Sequence, residues 1–518
     1  MKRIPYTVSD LLRVHATEAS SKEAIVDGNR SLTYSDLLNH SVCFANVLRE
    51  RDVRPGDRVC LFLPRSLESV ISFFAVQSLG AVVIFVNDVL KAKQVNHILT
   101  HSGASHMISN GRLIDSIGVE HFAVETILSV DDVKFTDVVD RKIRCPAIGN
   151  DLALIIYTSG STGLPKGIML SHNNLLSGTH IISDYLNLTA DDVLISLLPF
   201  SFDYGLNQLL TSVWAGATLV IQKSLFPPDI CRTLTRRNIT GMPAVPLLWQ
   251  QLMGPHSPFS KTVFPRLRYL TNTGGRLPEN LVRRLRTCHP NADIYLMYGL
   301  TEAFRSTYLK PCLVDSKPGS IGQAIPNVEI LVCNDRGGIC GPDEVGILVH
   351  RGANIALGYW RDPEATARVF GTMAFERNGV QYNERVVFSG DLVKKDEEGD
   401  LYFVGREDNM MKSHGIRLSP EEVEELMYSS GLLLSVVVFD VPGDGPEYDI
   451  IAAVIPKKQD SFQTEGLFDF CKGQMPKYMI PCSIMTCASF PKTSTGKPDR
   501  RKIRELYVEE HRSNPQVI

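Results

Sequence analysis

Residues 157–167, YTSGSTGLPKG, gather three glycines, a run of serine and threonine hydroxyls and one lysine into eleven positions. Such a loop can turn several backbone N–H groups and hydroxyls toward a phosphate, and a lysine adds positive charge. The candidate phosphate ligands are Thr158, Ser159, Gly160, Ser161, Thr162, Gly163 and Lys166. The stretch is not a Walker A loop, which needs Gly-Lys-Ser/Thr, because Lys166 follows Pro165. The bland alternative is a flexible Ser/Gly-rich linker. A Pro-Lys-Gly ending directly behind an apolar run is unusual for a linker. Zinc chemistry has no comparable support: none of the 11 cysteines forms a C-x-x-C pair or has a histidine cluster beside it. They read as reduced, mostly buried thiols of a cytoplasmic protein.

The elements that must hold this loop are legible as short apolar runs at 58–63, 81–86, 152–156, 218–221 and 294–297. They alternate with amphipathic patterns for about the first four hundred residues, which predicts an α/β fold of layered sheets packed with helices. One helix should follow Ser171, with Leu175, Leu176, Ile182, Tyr185 and Leu186 facing the core. The most apolar stretch, 70–86, is broken by Gln77, Ser78 and Gly80 and is too short to span a bilayer. It reads as a helix leading into a buried strand. At 518 residues the chain should hold at least two domains. Near Gly405 its character changes. A polar stretch leads to a helix start at Ser419 and Pro420, where Ser419 and Glu422 have capping-box spacing. Two apolar runs, 435–439 and 450–455, and a helix near 466–471 follow. We therefore expect a large domain over 1–407, a linker over 405–408 and a small mobile α+β domain over 408–518. With 54 basic and 57 acidic residues the net charge is -3, which offers nothing to nucleic acid or an anionic membrane. The N-terminus lacks the apolar core of a signal peptide.

The loop resembles the phosphate loop of the adenylate-forming superfamily of acyl-CoA synthetases, nonribosomal-peptide adenylation domains and luciferases. Further motifs follow in that family's order and carry the resemblance over nearly the whole chain. What it implies is an enzyme that uses ATP and Mg2+ to turn an acid into an acyl-AMP and then passes the acyl group to a thiol. In YGLTE, Tyr298 would stack on adenine with Gly299 beside it, Thr301 would hold the α-phosphate, and Glu302 would hold Mg2+. Alone, a Thr-Glu pair is as readily a helix cap. In TGGR, Gly274, Gly275 and Arg276 would form the adenine-side loop, where glycine lets backbone approach a flat ring. Asp391 in SGDL would accept both ribose hydroxyls, and Arg406 would add a donor. Lys497 in PKTSTGKPDR would stabilise charge in the pentacoordinate transition state and is preferred over Lys492. Asp408 would be the hinge, and Gly415 would line the thiol tunnel once the small domain rotates.

By the same resemblance the acyl pocket draws on Phe202, Asp203, Tyr204, Asn207, Pro243, Thr271, Met297 and Arg305. Amino-acid-activating members carry an aspartate at the position of Asp203, where it pairs with the substrate ammonium. A buried unpaired carboxylate is costly, so Asp203 needs a partner. Arg305 is the internal alternative, and it could equally bind a polar or acidic substrate end. The leading expectation is a stand-alone amino acid ligase serving a separate phosphopantetheinylated carrier protein. Only about twenty residues follow Lys497, too few for a fused carrier domain. The alternative is an AMP-forming acyl- or aryl-CoA synthetase. A nucleotide-binding pseudoenzyme is disfavoured because the motif residues are intact.

Overall fold

The computed structural model describes residues 4–118, 122, 124–134, 143–159, 165–413, 416–442, 448–493 and 496–512. Each apolar run named above forms or lies in a strand. Two mostly parallel sheets result. The first, among the described residues, runs in the order Gln323–Ala324, Thr307–Leu309, Asp293–Tyr298, Tyr269–Asn272, Gly241–Ala244, Val193–Ser196, Thr218–Ile221, Glu23–Asp27, Arg30–Thr33. The second runs Gly358–Tyr359, Pro165–Ser171, Leu152–Ser159, Val82–Phe85, Arg58–Leu61, His106–Ser109, Thr126–Ser129. Antiparallel pairing is confined to the margins of both sheets.

Helices fill the space between these sheets. The helix Leu67–Ser78 is buried at every position but Glu68 and touches both Glu23–Asp27 of one sheet and Val82–Phe85 of the other. A helix apolar all round needs cover on all sides, and a place between two layers supplies it. Ser66 starts it with a capping box. His172–Tyr185 leans on the second sheet, Asp203–Ala215 on the first, and the two helices pack together. The five residues expected to face the core of the first of these are buried. Asp203–Ala215 is buried from its first residue to Val213 and stops at Gly216, which is left-handed at φ 69°.

A third, antiparallel sheet holds Val328–Cys333, Gly346–Gly352, Phe370–Arg377, Val380–Lys395 and Leu401–Arg406. Beyond it the chain builds a smaller unit on three strands, Leu433–Pro442, Tyr448–Pro456 and Ser483–Thr486. Alternation with period two divides this sheet cleanly. Val436, Val438, Ala452 and Val454 pack under the helices Pro420–Ser429 and Thr464–Gln474. Val437, Phe439, Ile451 and Ala453 pack under Arg500–Arg512. The fold class is therefore as expected: a large α/β domain of layered sheets and a small α+β domain. We propose the boundary at 407/408.

Three expectations need correction. Gly405 and Arg406 are not linker: they finish the strand Leu401–Arg406, paired with Leu392 and Asp391. Ladder hydrogen bonds override the polar composition that suggested a loop. Ser419 does cap Pro420–Ser429, but its hydroxyl accepts from the N–H of Glu421, and Glu421 supplies the acidic partner in place of Glu422. All 11 cysteines are free, yet only Cys60, Cys231, Cys333, Cys340 and Cys471 are buried, so the thiols are not mostly buried.

Burial of two histidines makes stability depend on pH. His172 and His350 are enclosed, and burial lowers their pKa values to about 4 and about 3. Both stay neutral in the folded chain, whereas the unfolded chain takes up protons near pH 6.5. Stability is therefore full above that value and falls as the pH drops toward the folded pKa values, by about 1.4 kcal/mol per pH unit for each histidine. Urea unfolding at pH 6 and pH 5 should show this loss, and a His350→Gln chain should show a slope shallower by about that amount.

Candidate active site

The parallel strands of the first sheet all end toward one face, where ligands collect in open α/β sheets. From there project the loops after Val193–Ser196, Gly241–Ala244, Tyr269–Asn272 and Asp293–Tyr298. They carry, in turn, Phe202 and Asp203, Val245 and Pro246, the TGGR turn, and the GLTE segment. Pro243 can occupy the strand Gly241–Ala244 because pairing to Val193–Ser196 stops at Gly241. Thr271, its partner on the other side, remains in register.

At the nucleotide end Asp391 is buried between two donors. Tyr298 donates its hydroxyl to Oδ2 at 2.5 Å, and Arg406 pairs with Oδ1 at 3.1 Å. Burial and the neighbouring carboxylate raise the Tyr298 pKa well above the ordinary phenol value, so the hydroxyl keeps its proton to donate. Its ring approaches Phe403 at 6.5 Å between centroids. Thr301 is buried. Glu302 accepts a 2.6 Å hydrogen bond from the Tyr359 hydroxyl, and among the described residues its second carboxylate oxygen has no side-chain partner. Burial raises the Glu302 pKa, and the Tyr359 hydrogen bond and the Arg406 charge oppose that rise.

Lys166 lies on the same tyrosine. Its ammonium sits 5.6 Å from the Tyr359 ring centroid and 3.2 Å from the Asp362 carboxylate. Thr158 and Ser159 face Lys166 and Pro165 across the hairpin formed by Leu152–Ser159 and Pro165–Ser171. Gly160, Ser161, Thr162 and Gly163 lie outside the described residues, as does Gly415. Asp408 falls in the 3-10 turn Glu407–Asn409 between the two domains.

The TGGR turn is the meeting point. Gly274 is left-handed, φ 81°, and a Cβ built there would stand 3.3 Å from Val245, 3.4 Å from Phe202 and 3.8 Å from Cε of Lys497. The small domain thus brings the Lys497 side chain beside the TGGR turn, and both Lys492 and Lys497 are exposed. Lys497 keeps solvent contact along its length. Protein crowded around its tip lowers its pKa, with Asp203 and Asp391 pulling the other way. Gly275 faces Pro246. Arg276 turns from this centre toward the domain seam. It lies 3.8 Å from Glu279 and faces Glu422 and Glu425, and Glu425 accepts the Glu279 N–H at 3.4 Å.

In the acyl pocket Asp203 opens a buried helix, and its Oδ1 accepts the Tyr204 N–H at 2.8 Å. The helix N-terminus favours the negative charge, while burial raises the Asp203 pKa and the Arg305 and Lys497 charges oppose that rise. Tyr204 is hydrogen-bonded to Thr271 and stands edge-on to Phe202. Met297 accepts from the Tyr185 hydroxyl at 3.0 Å. Asn207 is buried one turn beyond Asp203. Arg305 is 2% exposed and follows Phe304, a left-handed residue at φ 50°. A side chain in that region is strained, and such strain collects at functional loops. Gly299 gives the loop room, with Cα of Arg305 3.0 Å from a Cβ built on it.

Tyr359 and Asp362 escaped the sequence reading, and Tyr185 was expected only as a core residue. Tyr359 stands 57 residues beyond Glu302 and reaches it through sheet pairing, for which the local pattern GYW gives no sign.

Layered sheets, a small C-terminal domain and the convergence of Lys497, Asp391, Glu302 and the glycine turn define an adenylate-forming acid ligase. The chain belongs to the AMP-binding enzyme family, whose model matches residues 12–360. It is 27% identical over 530 residues to an oxalate–CoA ligase of Arabidopsis thaliana, covering 97% of this chain and 99% of that one. It is 27% identical over 506 residues to surfactin synthase subunit 2 of Bacillus subtilis, covering 96% of this chain but 14% of that much longer protein. The crystal structure of the anthranilate CoA ligase AuaEII with anthranoyl-AMP superposes with a TM-score of 0.88 at 25% identity, covering 97% of this chain and 98% of that one. The chain is thus an AMP-forming, ATP-using acid ligase. No helix among the described residues is long and apolar enough to cross a membrane.

The loop that presents Arg305 depends on one small residue. A Cβ on Gly178 would collide with the buried Phe304 ring. Gly178→Val should therefore destabilise the chain by about 1–3 kcal/mol in urea unfolding. It should also reduce adenylation at 25 °C, where the variant is still folded. Full activity with unchanged stability would show that Phe304 does not anchor this loop.

Proposed function

We propose that the protein activates a small amino acid as its aminoacyl-AMP and transfers it to the phosphopantetheine thiol of a separate carrier protein in the cytoplasm. The observation that carries this reading is Asp203: a buried carboxylate beside the Lys497 end of the pocket, with no ion-pair partner among the described residues. A substrate ammonium would satisfy it, and internal neutralisation by Arg305 has no contact to support it.

In the first half-reaction a carboxylate oxygen of the acid attacks the α-phosphorus of ATP. The bond from that phosphorus to the bridging oxygen of the β-phosphate breaks, and pyrophosphate leaves. Lys497 is assigned to the charge shared by the attacking carboxylate and the α-phosphate. Thr301 is assigned to the α-phosphate. Asp391 and Arg406 are assigned to the ribose and Tyr298 to the adenine side. Lys166 is assigned to the outgoing phosphates, for which it must exchange Asp362. Glu302 fits Mg2+ by its donor chemistry, a hard carboxylate with one oxygen bonded to Tyr359 and the other without a side-chain partner among the described residues. When bound, Mg2+ would neutralise phosphate charge. In the second half-reaction the thiol sulfur attacks the acyl carbon, the acyl–phosphate oxygen bond breaks, AMP leaves and the thiol proton passes to solvent. Asp408 and Gly415 are assigned to domain rotation and thiol entry.

A second reading has its own support. The oxalate–CoA ligase matches along its whole length, whereas the surfactin synthase subunit matches along a fraction. CoA would then be the thiol. Pyrophosphate exchange into ATP, screened over amino acids and their desamino analogues, tests the acid. Thioester formation on holo-carrier protein against free CoA tests the acceptor. Preference for desamino acids and free CoA would overturn the first reading in favour of the second.

Lys497→Ala should slow acyl-AMP formation by roughly 100-fold or more, the scale for losing one preorganised donor. Thioester formation from acyl-AMP supplied directly should be nearly unchanged. Equal loss in both steps would show that Lys497 does not act in adenylation alone.

A further inference from the structure

Asp203 and Arg305 are opposite charges in one pocket, both buried, and they do not pair. Asp203 is 7% exposed and, among the described residues, accepts only the N–H of Tyr204, on Oδ1. Arg305 is 2% exposed and has no ion-pair partner among the described residues. Its Nη1 donates a long 3.3 Å hydrogen bond to Thr273, its guanidinium carbon lies 5.3 Å from the Tyr204 ring centroid, and its Nε is buried with no hydrogen-bond partner among the described residues. The Nδ2 of Asn207, one turn along the helix from Asp203, is likewise buried without a partner. A guanidinium enclosed with a donor unused is under-compensated, because one long hydrogen bond and one ring contact replace only part of the water that burial removes.

We propose that Arg305 receives a second carboxylate on the acid, so that the pocket selects an α-amino dicarboxylic acid of about the size of aspartate or glutamate. This rests on the reading of Asp203 as the ammonium partner. The charges of the site then form a complement. Lys497 faces the carboxylate to be adenylated, Asp203 the ammonium, and Arg305 the distal carboxylate. A planar guanidinium suits this last role because it can donate two parallel hydrogen bonds to one carboxylate. The unused amide of Asn207 adds a neutral donor to the same acid. Tyr204, held by Thr271 and lying against the guanidinium, keeps the arginine from folding back onto Asp203.

Two substrate features can be varied independently. ATP–pyrophosphate exchange would be measured with glutamate, glutarate, 2-aminobutanoate and butanoate. Aspartate, succinate, alanine and propionate form the shorter set, with both enantiomers of each chiral acid. The expected result is kcat/KM for an amino dicarboxylic acid at least about 100-fold above that for its partner lacking the distal carboxylate, since a site built around a buried charge rejects an analogue that leaves it unpaired. Arg305→Gln should erase this ratio, lowering kcat/KM for the amino dicarboxylic acid at least about 30-fold more than for 2-aminobutanoate or alanine, a change in selection that loss of folding would not produce. Arg305→Lys should restore part of the ratio. If the distal carboxylate gives no advantage in the unmodified protein, or if only acids without it support exchange, the proposal is overturned. Failure of the ammonium reading looks different: glutarate or succinate would then match the amino dicarboxylic acid while the dependence on Arg305 survives.

Discussion

A carboxylate at the start of a buried helix is the constraint on which the acyl site turns. The helix Asp203–Ala215 lies between two sheets, so its first turn has no solvent to complete its hydrogen bonds. Asp203 meets part of that need through its bond to Tyr204 and by placing negative charge at the positive end of the helix. Gly205 follows because the chain there runs against the Pro199 carbonyl, and any Cβ would collide with it. The helix cannot shift outward without losing its place between the layers. The position of the charge is therefore set by packing, and the ligand must come to it.

The phosphate end is organised by the same principle of tying distant segments together. The short strand Gly358–Tyr359 adds to the margin of the second sheet beside Pro165–Ser171. That pairing puts Tyr359 under Lys166 and within reach of Glu302, which belongs to a loop of the first sheet. One tyrosine thus links the lysine behind the glycine-rich loop to the carboxylate that suits Mg2+. The backbone reinforces the link, because the Ala356 N–H bonds the Glu302 carbonyl and the Trp360 N–H bonds the Gly167 carbonyl. Asp391, shared by Tyr298 and Arg406, does for the third sheet what Tyr359 does for the second.

Much of this was legible in the sequence where residue type alone carries the chemistry. Gly274 announces a close approach, Lys166 and Lys497 announce charge, and the apolar runs announce strands. What stayed hidden depends on pairing between distant segments. Nothing near Tyr359 marks it as the partner of Glu302, because that contact exists only once Gly358–Tyr359 joins the sheet. Gly405 and Arg406 looked like linker by composition, yet the ladder to Val380–Lys395 claims them. Arg276 lies 3.8 Å from Glu279 and faces Glu422 and Glu425 of the small domain, neighbours that only the docked chain supplies. Phe304 could not be read as left-handed from its type, since only the space left by Gly178 permits it.

The seam between the domains bears on how one site could serve two half-reactions. The small unit has its own cores on both faces of its sheet, so it needs no large-domain side chain to stay folded. At the seam Arg276 faces Glu422 and Glu425, and the hydrogen bond from Glu279 to Glu425 is long, at 3.4 Å. Contacts of that kind, partly solvated and polar, contribute little individually. The Lys497 carbonyl accepts the Thr493 N–H, and the flexible Lys497 side chain reaches the TGGR turn. A docking held by weak polar contacts, with a single lysine inserted, is compatible with release after acyl-AMP forms, whereas a large hydrophobic interface would trap the enzyme in its first state.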